Sequence, residues 1–428
     1  MKDNTHCTPD ALPPGLRSVS YGIFCWLNRN IRVLRAFGAV LRTWPFVGGW
    51  VGVAARADAV KQVLLRTRSF SNTSHVPNLV SGDYLIAMDP GPTYTVDRQL
   101  FDQRLAFLTA SQDADLEAQQ RIKNLWTKPD GHFDLVEDYL MWVVFRAIEK
   151  VFDPAVAARI SLGGQLGVAA PNQGLEKQFL MESRYVAGQL LAGSTSTLDV
   201  QRRAEVCADA LRARIRGALG QIRGVWNVNA GVPDAMVERN AVGMAWISHP
   251  VTVQSAALVV QELLTRKKVY RALREEAARL GAGVWVDQNF RTEIQGHVLE
   301  LMRFRPIFPL LARHVPRDTE FETGGRRNAP VAGGGKVALL SIAAMFDSKA
   351  TDDSASFCPH RQWRQGYDGL RFLMFGYGER QCPARDPAVE ILTSALIGLL
   401  TLPELELRGN KAISYEGPLM AHMLMHPA

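Results

Sequence analysis

The spacing of apolar residues changes twice along the chain. Residues 46–64 form short apolar runs broken by glycine, which predicts two short strands and then a helix starting near Asp58. From about 97 to 300 the apolar positions recur every three or four residues, as in EDYLMWVVFRAIEKVF (137–152) and QSAALVVQELL (254–264), so this stretch predicts a helical body. After Glu320, the glycine clusters of GGRRNAPVAGGGKVALLSIAAM bracket strand-like runs, and a final helix is expected over 388–401. Ile31 to Leu41, with Arg32, Arg35 and Arg42, reads as an amphipathic helix, for which packing on its own domain is favoured over a place on a membrane surface. There is no internal repeat, low-complexity tract or linker. The pattern predicts one α+β, predominantly α-helical domain, with small β-sheets on the N-terminal side and ahead of residue 375. Residues 1–45 are expected to be an extension packed on a domain of residues 46–428.

Composition narrows the function. The 428 residues are 47% hydrophobic, enough for a large core, and the net charge of +7 comes from scattered basic residues. That scatter argues against a nucleic-acid partner and suits a basic docking face for an acidic protein. The five cysteines, Cys7, Cys25, Cys207, Cys358 and Cys382, form no CxxC pair, which points to a reducing compartment and away from a zinc ribbon or disulfide framework. Cys207 and Cys358 read as small apolar fillers. Met1–Pro14 is polar, and the run YGIFCWL is interrupted at Asn28, Arg29 and Asn30. No secretory signal or integral membrane segment is therefore expected, and the expected location is cytoplasmic.

Cys382 stands in FGYGERQCPARDPAVEIL (375–392). Gly376 and Gly378 permit a tight backbone approach, and the thiol lies just ahead of a helix whose N-terminal dipole favours a thiolate. One cysteine excludes a local tetrahedral zinc site. A single thiolate to a haem iron needs only one, whereas a nucleophile would need a nearby base. Arg380 could hold a carboxylate, and a haem carries two.

These residues resemble the cytochrome P450 superfamily. The haem loop of that family reads F-x-x-G-x-[HR]-x-C-x-[GA], filled here by Phe375, Gly378, Arg380, Cys382 and Ala384. E-x-x-R appears as Glu300 and Arg303, and F-x-P-x-R as Phe357, Pro359 and Arg361. The resemblance runs from about residue 46 to 405 and implies the single-domain P450 fold, haem b as cofactor, and Cys382 as the axial ligand of the iron. It further implies a buried Glu300, Arg303 and Arg361 scaffold. Phe375 and Ala384 would lie against the haem, and Tyr94 (in a histidine's usual place), Arg98, Arg313 and Arg380 would meet its propionates.

The match weakens at SHPVT (248–252), which aligns with the family's A-G-x-[DE]-T. Thr252 keeps the alcohol, Val251 replaces the acid, and His249 replaces the glycine. Pro250 is expected to kink the helix and turn His249 toward the distal pocket. Two oxidant supplies stay open: dioxygen with electrons from a ferredoxin- or flavodoxin-type donor, giving a monooxygenase, or a peroxide, giving a peroxygenase or a hydroperoxide isomerase or dehydratase. A non-catalytic haem sensor or carrier is the alternative of another class. The expected substrate is a hydrophobic or amphipathic small molecule, lined by residues 72–88, 178–195, 306–311 and 415–425. Arg364, Arg371 and Arg385 flank the haem loop as candidate contacts for an acidic donor.

Overall fold

A computed structural model describes residues 14–43, 47–72, 85, 88–106, 110–126, 131–161, 173–323, 328–409 and 411–428. Its helices are α1 (Pro14–Arg29), α2 (Ile31–Thr43), α3 (Ala57–Leu65), α4 (Pro92–Leu105), α5 (Ala110–Trp126), α6 (Met141–Glu149), α7 (Pro154–Ser161), α8 (Gln173–Ala192), α9 (Leu198–Val225), α10 (Asp234–Val242), α11 (Ser248–Leu264), α12 (Lys267–Leu280), α13 (Gln288–Phe304), α14 (Ser341–Ala344) and α15 (Arg385–Leu400). Local chemistry sets several starts. Pro92 opens α4, where its missing N–H costs nothing, and the Asp287 carboxylate caps α13 by accepting from the Phe290 amide at 2.8 Å.

The strands are β1 (Val47–Gly48), β2 (Val51–Ala54), β3 (Phe133–Asp134), β4 (Leu311–His314), β5 (Thr319–Glu322), β6 (Asn328–Val331), β7 (Lys336–Leu339), β8 (Leu405–Leu407), β9 (Ile413–Glu416) and β10 (Leu419–Pro427). One sheet has the order β1-β2-β7-β4, with β2 parallel to β7 and β4 antiparallel to it, so Arg313 lies opposite Val337. A second joins β3, β10 and β8, with β9 paired to β10, and β5 pairs with β6. The fold is thus α+β and predominantly helical, as the spacing of apolar residues predicts. The helix α1 was not foreseen, because its apolar residues fall on both its exposed and its buried sides.

The core gathers where α15 meets α5, α11 and α13. Tyr139 is fully buried there, and its hydroxyl donates to the Ala395 carbonyl at 2.9 Å. A Cβ on Gly398 would run into that hydroxyl oxygen. Gly398→Ala is therefore expected to lower stability by roughly 1–3 kcal/mol through overpacking, read as a fall in the urea midpoint; an unchanged midpoint would show that α15 moves aside.

Candidate active site

The cysteine loop owes its shape to two glycines. Gly376 and Gly378 have φ of +83° and +72°, a region that side chains with a Cβ avoid. The chain then folds back, so that the Cys382 amide donates to the Phe375 carbonyl at 2.7 Å and the Ala384 amide points at the sulfur. Burial pushes the Cys382 thiol up; the Ala384 amide, Arg98 and Arg385 act the other way without overcoming it. A cation at the sulfur would favour the thiolate.

Two residues of α4 tether this loop. The Tyr94 hydroxyl donates to the Glu379 carbonyl at 2.6 Å. Arg98 donates to the Gln381 carbonyl at 2.8 Å and forks onto Asp102 at 2.9 Å. Both had been expected to donate to propionates. In the structure their hydrogen bonds go to the loop's own carbonyls and to an acid one turn along α4, and Tyr94 also lines the cavity.

A cavity of about 430 Å³ is bounded by Phe375, Cys382 and Ala384, by Ser248, Val251, Thr252 and Ser255 of α11, and by Arg313 and Arg380. Its described lining contains no aspartate or glutamate. Arg313 is buried, donates only to the neighbouring Ala312 carbonyl at 2.7 Å, and has no carboxylate partner among the described residues. Burial and the nearby Arg380 bring its guanidinium down to about 10. Arg380 pairs with Asp89, which also accepts from the Ser71 hydroxyl and the Asn72 amide, while the Arg380 Nε is buried without a partner. Two enclosed guanidinium groups thus share one nearby acid, an arrangement short of negative charge.

Behind the loop lies a charged scaffold. Glu300 and Arg303, one turn apart on α13, form a bidentate pair at 2.7 and 2.8 Å. Arg361 adds a bond to Glu300 at 3.0 Å, and the Cys358 amide another at 2.8 Å. Arg303 also donates to the Ser354 and Ser356 carbonyls at 2.8 and 3.0 Å. Burial alone would raise the Glu300 carboxyl, but hydrogen bonds from Arg303 and Arg361 outweigh it and hold it below the usual range.

His249 is not in the cavity. It is buried, its Nε2–H donates to the Met141 carbonyl at 2.8 Å, and its ring meets Phe145 edge-on. Burial takes it down to about 4, so it is neutral. A π-helical turn, Gly243–Ile247, runs directly into α11, which carries Pro250 in its first turn. On α11 His249 points away from the cavity, toward Met141. The segment 415–425 likewise contributes no described lining residue, because it forms β9 and β10 and its Met420 is held by Gln254 and Arg184. Most of 72–88 lies outside the described residues, although Asn72 and Leu85 do line the cavity, as do Leu190–Gly193, Ile307, Phe308, Leu310 and Leu311.

Sequence reasoning missed Asp89, Phe24 of α1, and the pair formed by Arg239 with buried Asp97 at 2.6 and 2.7 Å. Asp89 had a signal: an acid five residues before Tyr94 in the segment already matched. Around the loop, Arg364 and Arg385 are already engaged by Asp352 and Asp386 at 2.5 and 2.6 Å.

No protein-family model matches the chain. Among curated proteins it is similar to tabersonine/lochnericine 19-hydroxylase of Catharanthus roseus, 29% identical over 157 residues, covering 35% of this chain and 30% of that protein. It is also similar to trimethyltridecatetraene synthase of Zea mays, 30% identical over 168 residues, covering 36% and 29%. Cytochrome P450 705A20 of Arabidopsis thaliana is 24% identical over 182 residues, covering 41% and 35%. The match spans about a third of these relatives' length. Among solved structures, a mutant of P450 EryK in complex with erythromycin B aligns with a TM-score of 0.68 at 18% identity, covering 93% of this chain and 97% of that one. Ligand-free CYP164A2 of Mycobacterium smegmatis gives 0.68 at 18% identity over 96% and 97%. The chain thus has the cytochrome P450 fold, and its partial matches among curated proteins include a cytochrome P450.

A P450 holds a haem iron, and this cavity suits one. Arg313 has no carboxylate partner among the described residues, Arg380 has an orphaned Nε, and the two line the same cavity as a sulfur whose thiol burial pushes up. A dianionic group with a central metal cation answers all three conditions. No helix of the described residues is long and apolar enough to cross a membrane.

Proposed function

We propose that the chain is a haem-thiolate monooxygenase acting on a hydrophobic or amphipathic small molecule, with residues 46–428 as the haem domain and 1–45 packed on it. The observation that carries this reading is the meeting, in one cavity, of the Cys382 sulfur with two enclosed arginines that share one acid. Haem b bound there would supply an iron centre able to activate dioxygen, with Cys382 Sγ as its protein ligand. Arg313 and Arg380 would hold its two carboxylates. Tyr94, which also lines the cavity, and Arg98 hold the loop in place, and Phe375 and Ala384 shape the cavity around the sulfur.

On the cavity face of α11 the Ser255 hydroxyl donates to the Val251 carbonyl at 2.8 Å, whereas those of Ser248 and Thr252 bond to no described residue. Thr252 Oγ1 can therefore hold a proton at the cavity and pass it on, with Ser248 beside it one turn away. Apolar residues such as Ile307, Phe308 and Leu311 exclude water and select an apolar substrate. The hydroxylase name of the Catharanthus relative supports the same reaction type. Electrons would come from an acidic ferredoxin or flavodoxin. His249, which would have suited a peroxide-driven reaction as an anchor for a substrate carboxylate, is turned to the Met141 carbonyl, and the peroxide-driven alternative is decided by the test below.

The test is a screen of apolar ligands by shifts in the visible spectrum of the haem-loaded protein, followed by turnover with a generic reductase pair and, separately, with peroxide. Reductase-driven product is expected, and Thr252→Ala should cut it by about 10²-fold with ligand affinity unchanged. Product with peroxide alone would make the protein a peroxygenase, and product under neither supply would leave a carrier.

A further inference from the structure

The outward faces of the first two helices are apolar. On α1, Val19, Ile23 and Trp26 fall at positions i, i+4 and i+7, with Ile23 and Trp26 54% and 51% exposed. On α2, Val33, Phe37 and Val40 repeat the spacing, with Phe37 56% exposed. These helices are not loose ends. Ile31, Leu34 and Leu41 are buried on the opposite side of α2, and Gly38 lets it close on α14, since a Cβ there would stand 2.6 Å from the Cβ of Ala343. One face packs on the domain, as expected for this helix, and the other meets solvent with side chains that water disfavours.

Charge decides what suits that face. Residues 11–57 contain six arginines, at positions 17, 29, 32, 35, 42 and 56, and no aspartate or glutamate. Arg35 is turned inward over Phe304 and Phe346, and Arg42 donates to the Ala343 carbonyl. Arg29 and Arg32 are exposed; Arg29 donates to the Gly417 carbonyl at 2.7 Å and covers the Tyr415 ring while keeping its charge at the surface, and Arg32 has no carboxylate partner among the described residues. A second copy of the chain would bring the same positive charge to the same face, which opposes self-association. An anionic lipid headgroup layer offers the complement, with an apolar zone just beneath it and an interface that favours tryptophan.

We propose that α1 and α2 dock the protein peripherally on a membrane surface containing anionic lipid, with the apolar stripe seated at the acyl boundary and Arg29 and Arg32 among the phosphates. The attachment is a surface one and does not depend on what the cavity holds. The test is flotation of the full chain as purified with vesicles of phosphatidylcholine alone and of phosphatidylcholine mixed equally with phosphatidylglycerol. Binding to the anionic vesicles is expected to be roughly 25-fold stronger, the effect of two arginines near a charged surface. The double variant Ile23→Glu, Phe37→Glu should stay unbound, with an unchanged circular-dichroism melt because both side chains are exposed. Arg32→Glu should keep the fold and lose most of the preference for anionic lipid. Equal flotation with both vesicles, or none with either, overturns the proposal. So does self-association of the wild type that the double variant abolishes while neither protein floats, since the face would then belong to a second copy.

Discussion

Cys382→Ser will remove the thiolate signature from the reduced, carbon-monoxide-bound spectrum, and turnover will fall to background. The serine hydroxyl occupies the position of the sulfur and can accept from the same Ala384 amide, so the loop should keep its shape. What it cannot do is carry the soft anionic charge that an iron centre draws from a thiolate. The arginines at 313 and 380 are untouched by the change, so some haem should still be retained. That separation makes the result informative. Retained haem with a lost signature assigns the ligand to Cys382, whereas an unchanged spectrum places the ligand elsewhere and removes the basis of the proposed function.

The parts of this site that could be read in the sequence are those whose neighbours in space are also neighbours in the chain. Glu300 and Arg303 lie three residues apart on one helix, and Phe375 to Ala384 is a single loop, so their spacing already carries their geometry. Arg380 and Asp89 are 291 residues apart, and Arg239 and Asp97 are 142 apart, and only the packed fold brings each pair together. His249 shows a different failure. Residues 248, 251, 252 and 255 share one helical face and border the cavity, and position 249 lies about 110° around the helix from the centre of that face. Had helical phase been given priority over the expected proline kink, Ser248 would have been named in place of His249. The π-helical turn over Gly243–Ile247 has no sequence signature comparable to a proline.

Glu300→Gln is expected to cost about 3–5 kcal/mol, a large share of the roughly 5–15 kcal/mol that separates folded from unfolded domains. The carboxylate at this position accepts from Arg303, Arg361 and the Cys358 amide, and all three side chains of the network are nearly withdrawn from solvent. A glutamine keeps the volume and one acceptor oxygen, but its amide group must face a guanidinium, and two positive charges remain enclosed with no anion between them. Because the Cys358 amide is bonded to the same carboxylate, the strain passes to the segment that supports the cysteine loop, and haem retention should fall together with the urea midpoint. The acid limb gives an independent check. The folded Glu300 carboxyl is held below its ordinary value, so its contribution is present above about pH 4.3 and is lost as pH falls through the lower folded value. The variant lacks this group, so its stability should depend less steeply on pH below about 4.3 than that of the wild type. A variant within about 0.5 kcal/mol of wild type, with the same acid limb, would mean that the two arginines find other acceptors, and the scaffold role of Glu300 would have to be given up.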